Sequence, residues 1–229
     1  MSAFAAKIVP FGEAGWLARL EGGDMIACAL AANAIAGELR TLRGVTDAVA
    51  GVDSVALRFN PSRLPPGEAR KALEAAIRRA PAETAAPQSR IDIPVCYGGE
   101  YGPDLGALSK ALSLKEDEIV RLHSMQPYRV LTIGFAPGFA YLGPLPEPLQ
   151  TRRRATPRPR VAAGSVGVAG AMTGVYPLAS PGGWPLIGRT PKTLFNAKSE
   201  TPFLFAPGAE VSFTPIGEAA FAQLEAKAQ

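Results

Sequence analysis

The sequence predicts an α+β chain in two parts, a small α/β sandwich followed by a mainly β, barrel-like body. Three observations carry this. Residues 1 to about 85 read as extended pieces alternating with two helical stretches. A Pro/Ala/polar segment, Pro81–Ser89 (PAETAAPQS), then reads as a linker. Beyond it, short apolar runs alternate with Gly/Pro-rich loops, the pattern of short strands. The expected division is therefore 1–88 and 89–229.

In the first part, Ala6–Pro10 and Gly15–Leu20 are short extended pieces. Asp24 is placed to cap a helix running to about Arg43, because its carboxylate can accept from the first free backbone amides. Gly44 marks the stop. Val45–Ala50 and Ser54–Asn60, joined at Gly51–Val52–Asp53, form a hairpin signal. Pro66–Ala80 places Ala69, Leu73, Ala76 and Ile77 on one helical face. The order β, α, β-β, α predicts a ferredoxin-like sandwich if a last strand follows. Arg90–Tyr97 is that strand or the first of the second part.

In the second part, Pro103–Leu112 reads as a short helix. Ser113 with Glu116 fits a capping box that opens another helix, ending near His123–Ser124. Strands are expected at Arg129–Ile133, Val161–Val168, Gly174–Pro177, Trp184–Gly188, Pro202–Phe205 and Glu210–Pro215. The last two make a hairpin about Pro207–Gly208, and Gly217–Gln229 makes a terminal helix or frayed end.

The 229 residues are 47% hydrophobic and 19% charged, a balance that can bury a sizeable core. The net charge of +4 is small for a nucleic-acid binder, and no nucleic-acid motif accompanies it. The first ten residues lack the pattern of a secretion signal, and the longest apolar run, Met25–Gly37, is too short to span a bilayer. A cytoplasmic protein is expected, with no membrane partner and with Cys28 and Cys96 as buried free thiols.

His123, the one histidine, is the natural acid/base candidate because its side chain titrates near neutrality. Arg152, Arg153, Arg154, Arg158 and Arg160 form a basic run. Pro157 and Pro159 hold its end extended, so Arg158 and Arg160 project to one side and could bind a carboxylate or phosphate. The run Gly164–Gly170 is neither a phosphate loop nor a dinucleotide fingerprint. One histidine and two distant cysteines make no metal site.

Three stretches, GFAPGFAYLG (Gly134–Gly143), RATPRPRVAAGSVGVAG (Arg154–Gly170) and YPLASPGGWPLIGRTP (Tyr176–Pro191), resemble the allophanate hydrolase subunit 1 family. That family includes a subunit of bacterial 5-oxoprolinase and an inhibitor of a sporulation histidine kinase. The resemblance implies a ferredoxin-like N-terminal domain and a cyclophilin-like β-barrel. It implies an ATP-dependent lactam hydrolase acting with separately encoded subunits C and A, with ATP and Mg serving the complex. Alternatives within the resemblance are a histidine-kinase regulator and a component of urea or allophanate metabolism. The lactam is a poor electrophile, so a site needs donors for developing negative charge and an anchor for the substrate carboxylate. On this reading His123 transfers protons and Arg158 or Arg160 contacts anions. Tyr128, Phe135, Pro137, Tyr141, Tyr176 and Trp184 shape the pocket, and Ser165, Arg189 and Thr190 add polar contacts.

Overall fold

The computed structural model describes residues 4–81, 86–87 and 89–228. The chain divides into two compact units, Met1–Ala86 and Pro87–Gln229. Most of the expected linker lies outside the described residues.

The first unit holds β1 (Ala5–Pro10), β2 (Gly15–Glu21), α1 (Met25–Arg40), β3 (Val45–Ala50), β4 (Ser54–Phe59) and α2 (Pro66–Arg79). Its antiparallel sheet runs β1-β2-β4-β3. The Asp24 carboxylate accepts from the Ala27 amide at 2.8 Å and starts α1. The helix ends at Arg40, three residues before Arg43, and Thr41 caps it. Strand alternation gives the sheet one apolar face: Ala18 and Leu20, Ala48 and Ala50, Val55, Leu57 and Phe59. These meet Ala31, Ile35 and Leu39 of α1 and Leu73 and Ile77 of α2 in one core. Among the described residues, no strand following α2 joins this sheet. Its fourth strand is β1, which precedes the rest, so the condition set for a ferredoxin-like order is not met.

The strand after α2, β5 (Arg90–Tyr97), belongs to the second unit. There follow α3 (Leu105–Leu112), α4 (Glu116–Ser124), β6 (Tyr128–Ile133), β7 (Ala140–Gly143), a short 3₁₀ turn (Glu147–Leu149), β8 (Arg158–Val161), β9 (Ser165–Ala169), β10 (Met172–Val175), β11 (Ser180–Gly182), β12 (Leu186–Arg189), β13 (Glu210–Pro215) and α5 (Glu218–Ala228). Seven strands close a barrel in the order β10-β7-β6-β13-β5-β12-β9, and β11 and β8 form a separate ribbon. The β5–β13 pair is parallel. Val95, Val130, Leu142, Val166, Ile187 and Val211 fill the barrel, with Leu105 and Leu108 of α3 and Ile119 of α4.

Several local expectations differ here. Ser113 does not open α4. It closes α3 with a left-handed φ of 56°, and Lys115 is the residue before α4. The expected strand Val161–Val168 is two strands, broken at Gly164 (φ +81°). Pro202–Phe205 forms a single bridge, Phe195 to Phe203, instead of a hairpin arm. Phe205 is buried in the barrel core, and β13 instead pairs with β5 and β6. Cys28 and Cys96 are buried and unpaired.

A methyl group at Gly164 would run into the Thr190 carbonyl as well as requiring a left-handed backbone. We expect Gly164→Ala to cost the barrel unit about 2–3 kcal/mol. Trp16 and Trp184 lie in different units, so the fluorescence of Trp184 in a Trp16→Phe background reads the barrel alone. An unchanged urea midpoint would show that the break between β8 and β9 tolerates a side chain.

Candidate functional site

The structure sorts the expected site residues into three groups. The first is an aromatic cluster. Phe139 packs against Tyr141 (4.9 Å between ring centroids), Tyr176 (5.2 Å) and Trp184 (5.7 Å), all edge-on. Edge-to-face contact is the arrangement that aromatic quadrupoles favour. Phe135 adds its ring 5.5 Å from Phe139. It sits in the tight turn from Gly134 to Phe139, with a left-handed φ of 68° and 63% of its surface exposed. A non-glycine residue in that conformation costs roughly 1–3 kcal/mol, so the turn holds a large apolar ring in water at some expense. Pro137 is exposed in the same turn. Tyr176 and Trp184 are buried beneath, while Tyr141 is half-buried. Burial pushes the Tyr176 phenol up, opposed by the hydrogen bond from the Trp184 amide and the Arg153 and Arg158 charges. A Cβ at Gly182 would stand 2.5 Å from the Tyr176 oxygen, so glycine there lets the phenol sit close to the chain.

The second group is the basic run, and a residue absent from the sequence reading organises it. Asp104, at the start of α3, is only 6% exposed. Its Oδ2 accepts from Arg158 Nη1 at 2.8 Å and from the Leu186 amide at 2.7 Å. Its Oδ1 accepts from Arg158 Nη2 at 2.8 Å and from Arg154 Nη1 at 2.9 Å. Burial alone would push the Asp104 carboxyl up. The Arg158 hydrogen bonds, the Leu186 amide and the two arginine charges outweigh it and hold the carboxyl below its ordinary value. Arg158 is thus committed to a bidentate internal pair instead of facing a substrate anion. Arg160 is exposed on β8, where the pairing with β11 is irregular, and among the described residues it forms no ion pair.

The third group is structural. His123 is fully buried inside the barrel. Its Nε2 lies 2.8 Å from Thr173 Oγ1, and its Nδ1 lies 2.8 Å from Tyr97 Oη. The Thr173 hydroxyl donates to the Gly167 carbonyl at 3.0 Å, so its oxygen accepts from Nε2–H. Nδ1 then accepts from the Tyr97 hydroxyl. Both nitrogens of a neutral ring are satisfied, and burial lowers the His123 pKa to about 3. Both ring nitrogens are therefore engaged inside the core, and neither is free for the proton transfer expected of His123. Tyr128 donates to the His123 carbonyl at 2.8 Å and packs in the same core. Arg189 donates from Nε to the Ala163 carbonyl and lies over the Phe221 ring of α5. Ser165 and Thr190 are buried around the Gly164 turn, where the Thr190 amide donates to the Gly164 carbonyl at 2.9 Å.

Residues 6–205 match the family model described as the carboxyltransferase domain, subdomain C and D. The chain belongs to this family. It is similar to the B subunit of 5-oxoprolinase from Escherichia coli O157:H7, at 42% identity over 93% of this chain and 97% of that protein. It also matches the crystal structure of TTHA0988, with a TM-score of 0.75 and 36% identity over 88% of this chain. The chain spans 39% of the length of that solved protein. The fold recurs in the Kluyveromyces lactis urea amidolyase, with a TM-score of 0.82 at 17% identity over 16% of that chain. The chain thus aligns with nearly the whole of one relative and with less than half of another. Among the described residues, no helix is long and apolar enough to cross a membrane.

Two outcomes follow from the buried groups. A histidine kept neutral takes up no proton in the folded state above about pH 3, while the unfolded chain protonates near its ordinary value. The contribution of His123 to barrel stability is therefore level above about pH 6.5 and falls by about 1.4 kcal/mol per pH unit below it, toward pH 3. His123→Gln should be less stable at pH 7.5 but lose less between pH 7 and pH 5, read by denaturant midpoints. An equal loss in both proteins would contradict the buried neutral ring. Separately, Asp104→Asn should destabilise the barrel by about 2–3 kcal/mol, because it strands Arg158 and Arg154 without their carboxylate. Trypsin cleavage within 152–160 should accelerate several-fold, and a wild-type rate would argue against the clasp.

Proposed function

We propose that this chain is a subunit of an ATP-dependent 5-oxoprolinase, acting with separately encoded subunits C and A to convert 5-oxo-L-proline to L-glutamate. The observation that carries this reading is the alignment with a protein named as the B subunit of 5-oxoprolinase, which spans nearly the full length of both chains. A likeness of that extent covers both units and the three loop motifs together. The urea-pathway alternative rests on fold alone, and the names of the curated relatives favour the lactam reading over kinase regulation.

The geometry supports a part that is completed by partners. An exposed Phe135 at the edge of a packed aromatic cluster offers a face for a small ring or for another subunit. The single histidine is withdrawn into the core. Among the described residues, no three His, Cys, Asp or Glu side chains gather where a metal ion could bind. The chain also has no phosphate loop. ATP with Mg is assigned to the complex as a whole. What this chain contributes is a rigid aromatic surface and cations fixed beside it, which orient a substrate and exclude water.

The test is ATP-dependent glutamate release from 5-oxo-L-proline, with this protein mixed with candidate subunits C and A and with each omitted in turn. Activity that requires all three is expected. A stable complex without glutamate release, or release without this chain, would overturn the proposal.

A further inference from the structure

The backbone between Thr151 and Arg154 is held at both ends. The Gly170 amide donates to the Thr151 carbonyl at 2.6 Å, and the Arg154 amide donates to the Gly183 carbonyl at 2.8 Å. Gly170 adjoins Ala169 and lies two residues from Met172, and Gly183 adjoins Trp184. Ala169, Met172 and Trp184 all belong to the aromatic cluster. The segment is therefore a strap tied down at two points beside that cluster.

The strap decides which arginine is available. Arg154 and Arg158 are spent on Asp104. Arg160 is exposed on β8, outside the strap. Among the described residues, Arg153 has no carboxylate partner. Its charge reaches both phenols of the cluster, opposing the rise that burial imposes on Tyr141 and Tyr176. A guanidinium beside partly desolvated aromatic surface binds a carboxylate bidentately and more tightly than it would in open water.

Resting on the lactam reading above, we propose that Arg153 binds the carboxylate of the substrate, a small lactam acid, while Tyr141 and Phe135 cover its ring. This places substrate selection on the strap, and it makes the Asp104 clasp a positioning device for Arg153.

The test is steady-state kinetics of the three-subunit complex carrying Arg153→Gln, Arg153→Lys or Arg160→Gln. Loss of one charge-assisted contact corresponds to roughly a 10–100-fold change in binding. Arg153→Gln should raise the KM for 5-oxo-L-proline by about that factor, with kcat reduced less than about threefold and complex assembly intact by size exclusion. Arg153→Lys should fall between it and wild type, because the charge remains and the fork is lost. Arg160→Gln should match wild type. A wild-type KM in Arg153→Gln, or an equal KM rise in Arg160→Gln, would overturn the assignment while leaving the lactam reading intact. A wild-type complex that turns over no lactam would overturn both.

Discussion

Asp104 is a carboxylate almost wholly withdrawn from water, and such a group is costly unless hydrogen bonds and opposite charge replace its hydration. Four donors do so, from Arg154, Arg158 and the Leu186 amide. The consequence reaches beyond the carboxylate. One side chain ties the start of α3, the basic run and the entry to β12 at a single point. Because the arginine fork is planar and bidentate, the run is held in one geometry instead of ranging through solvent. Through Arg154, whose amide donates to the Gly183 carbonyl, the clasp also reaches the strap and the backbone next to Trp184.

A second polar contact inside the barrel works on a similar principle with no net charge. His123 links Tyr97 of β5, Thr173 of β10 and, through Thr173, Gly167 of β9. Each donor meets an acceptor in only one arrangement, so the network fixes the register of strands far apart in sequence. It holds β10, whose end leads directly into Tyr176, and so supports the aromatic cluster from within. The two buried polar groups thus serve the same surface from different sides.

Much of the fold is legible in the sequence because its signals are local. Asp24 before an apolar-periodic run, the Val45–Phe59 hairpin and the Ala69/Leu73/Ala76/Ile77 face each lie within a few turns of chain. The aromatic members of the site are legible as a Gly/Pro-aromatic pattern: Phe135, Tyr141, Tyr176 and Trp184 come together as their loops suggest. Failures occur where a decision is made at long range. Asp104 finds partners 50 and 54 residues away, and an aspartate at a helix start reads as an ordinary capping residue. Its own side chain makes no cap. His123 reads as an acid/base because position alone says nothing of Tyr97 and Thr173. The Ala140–Gly143 strand is too short to show alternation, and Phe203 and Phe205 follow a hairpin pattern while Phe205 is claimed by the core. Ser113 fits a capping box, yet the end of α3 takes it first.

The central claim is that substrate meets the aromatic surface beside the strap. The five tyrosines divide usefully for testing it. Tyr141 and Tyr176 belong to that surface, Tyr97 and Tyr128 to the barrel interior, and Tyr101 packs on Phe221 of α5. The most direct measurement is fluorine NMR of the assembled complex with this subunit labelled with 3-fluorotyrosine, titrated with 5-oxo-L-proline. Saturable shifts at Tyr141, smaller ones at Tyr176 and none at Tyr101 are the predicted result. Turnover accompanied by no shift at Tyr141, or by a shift confined to Tyr101, would contradict the account.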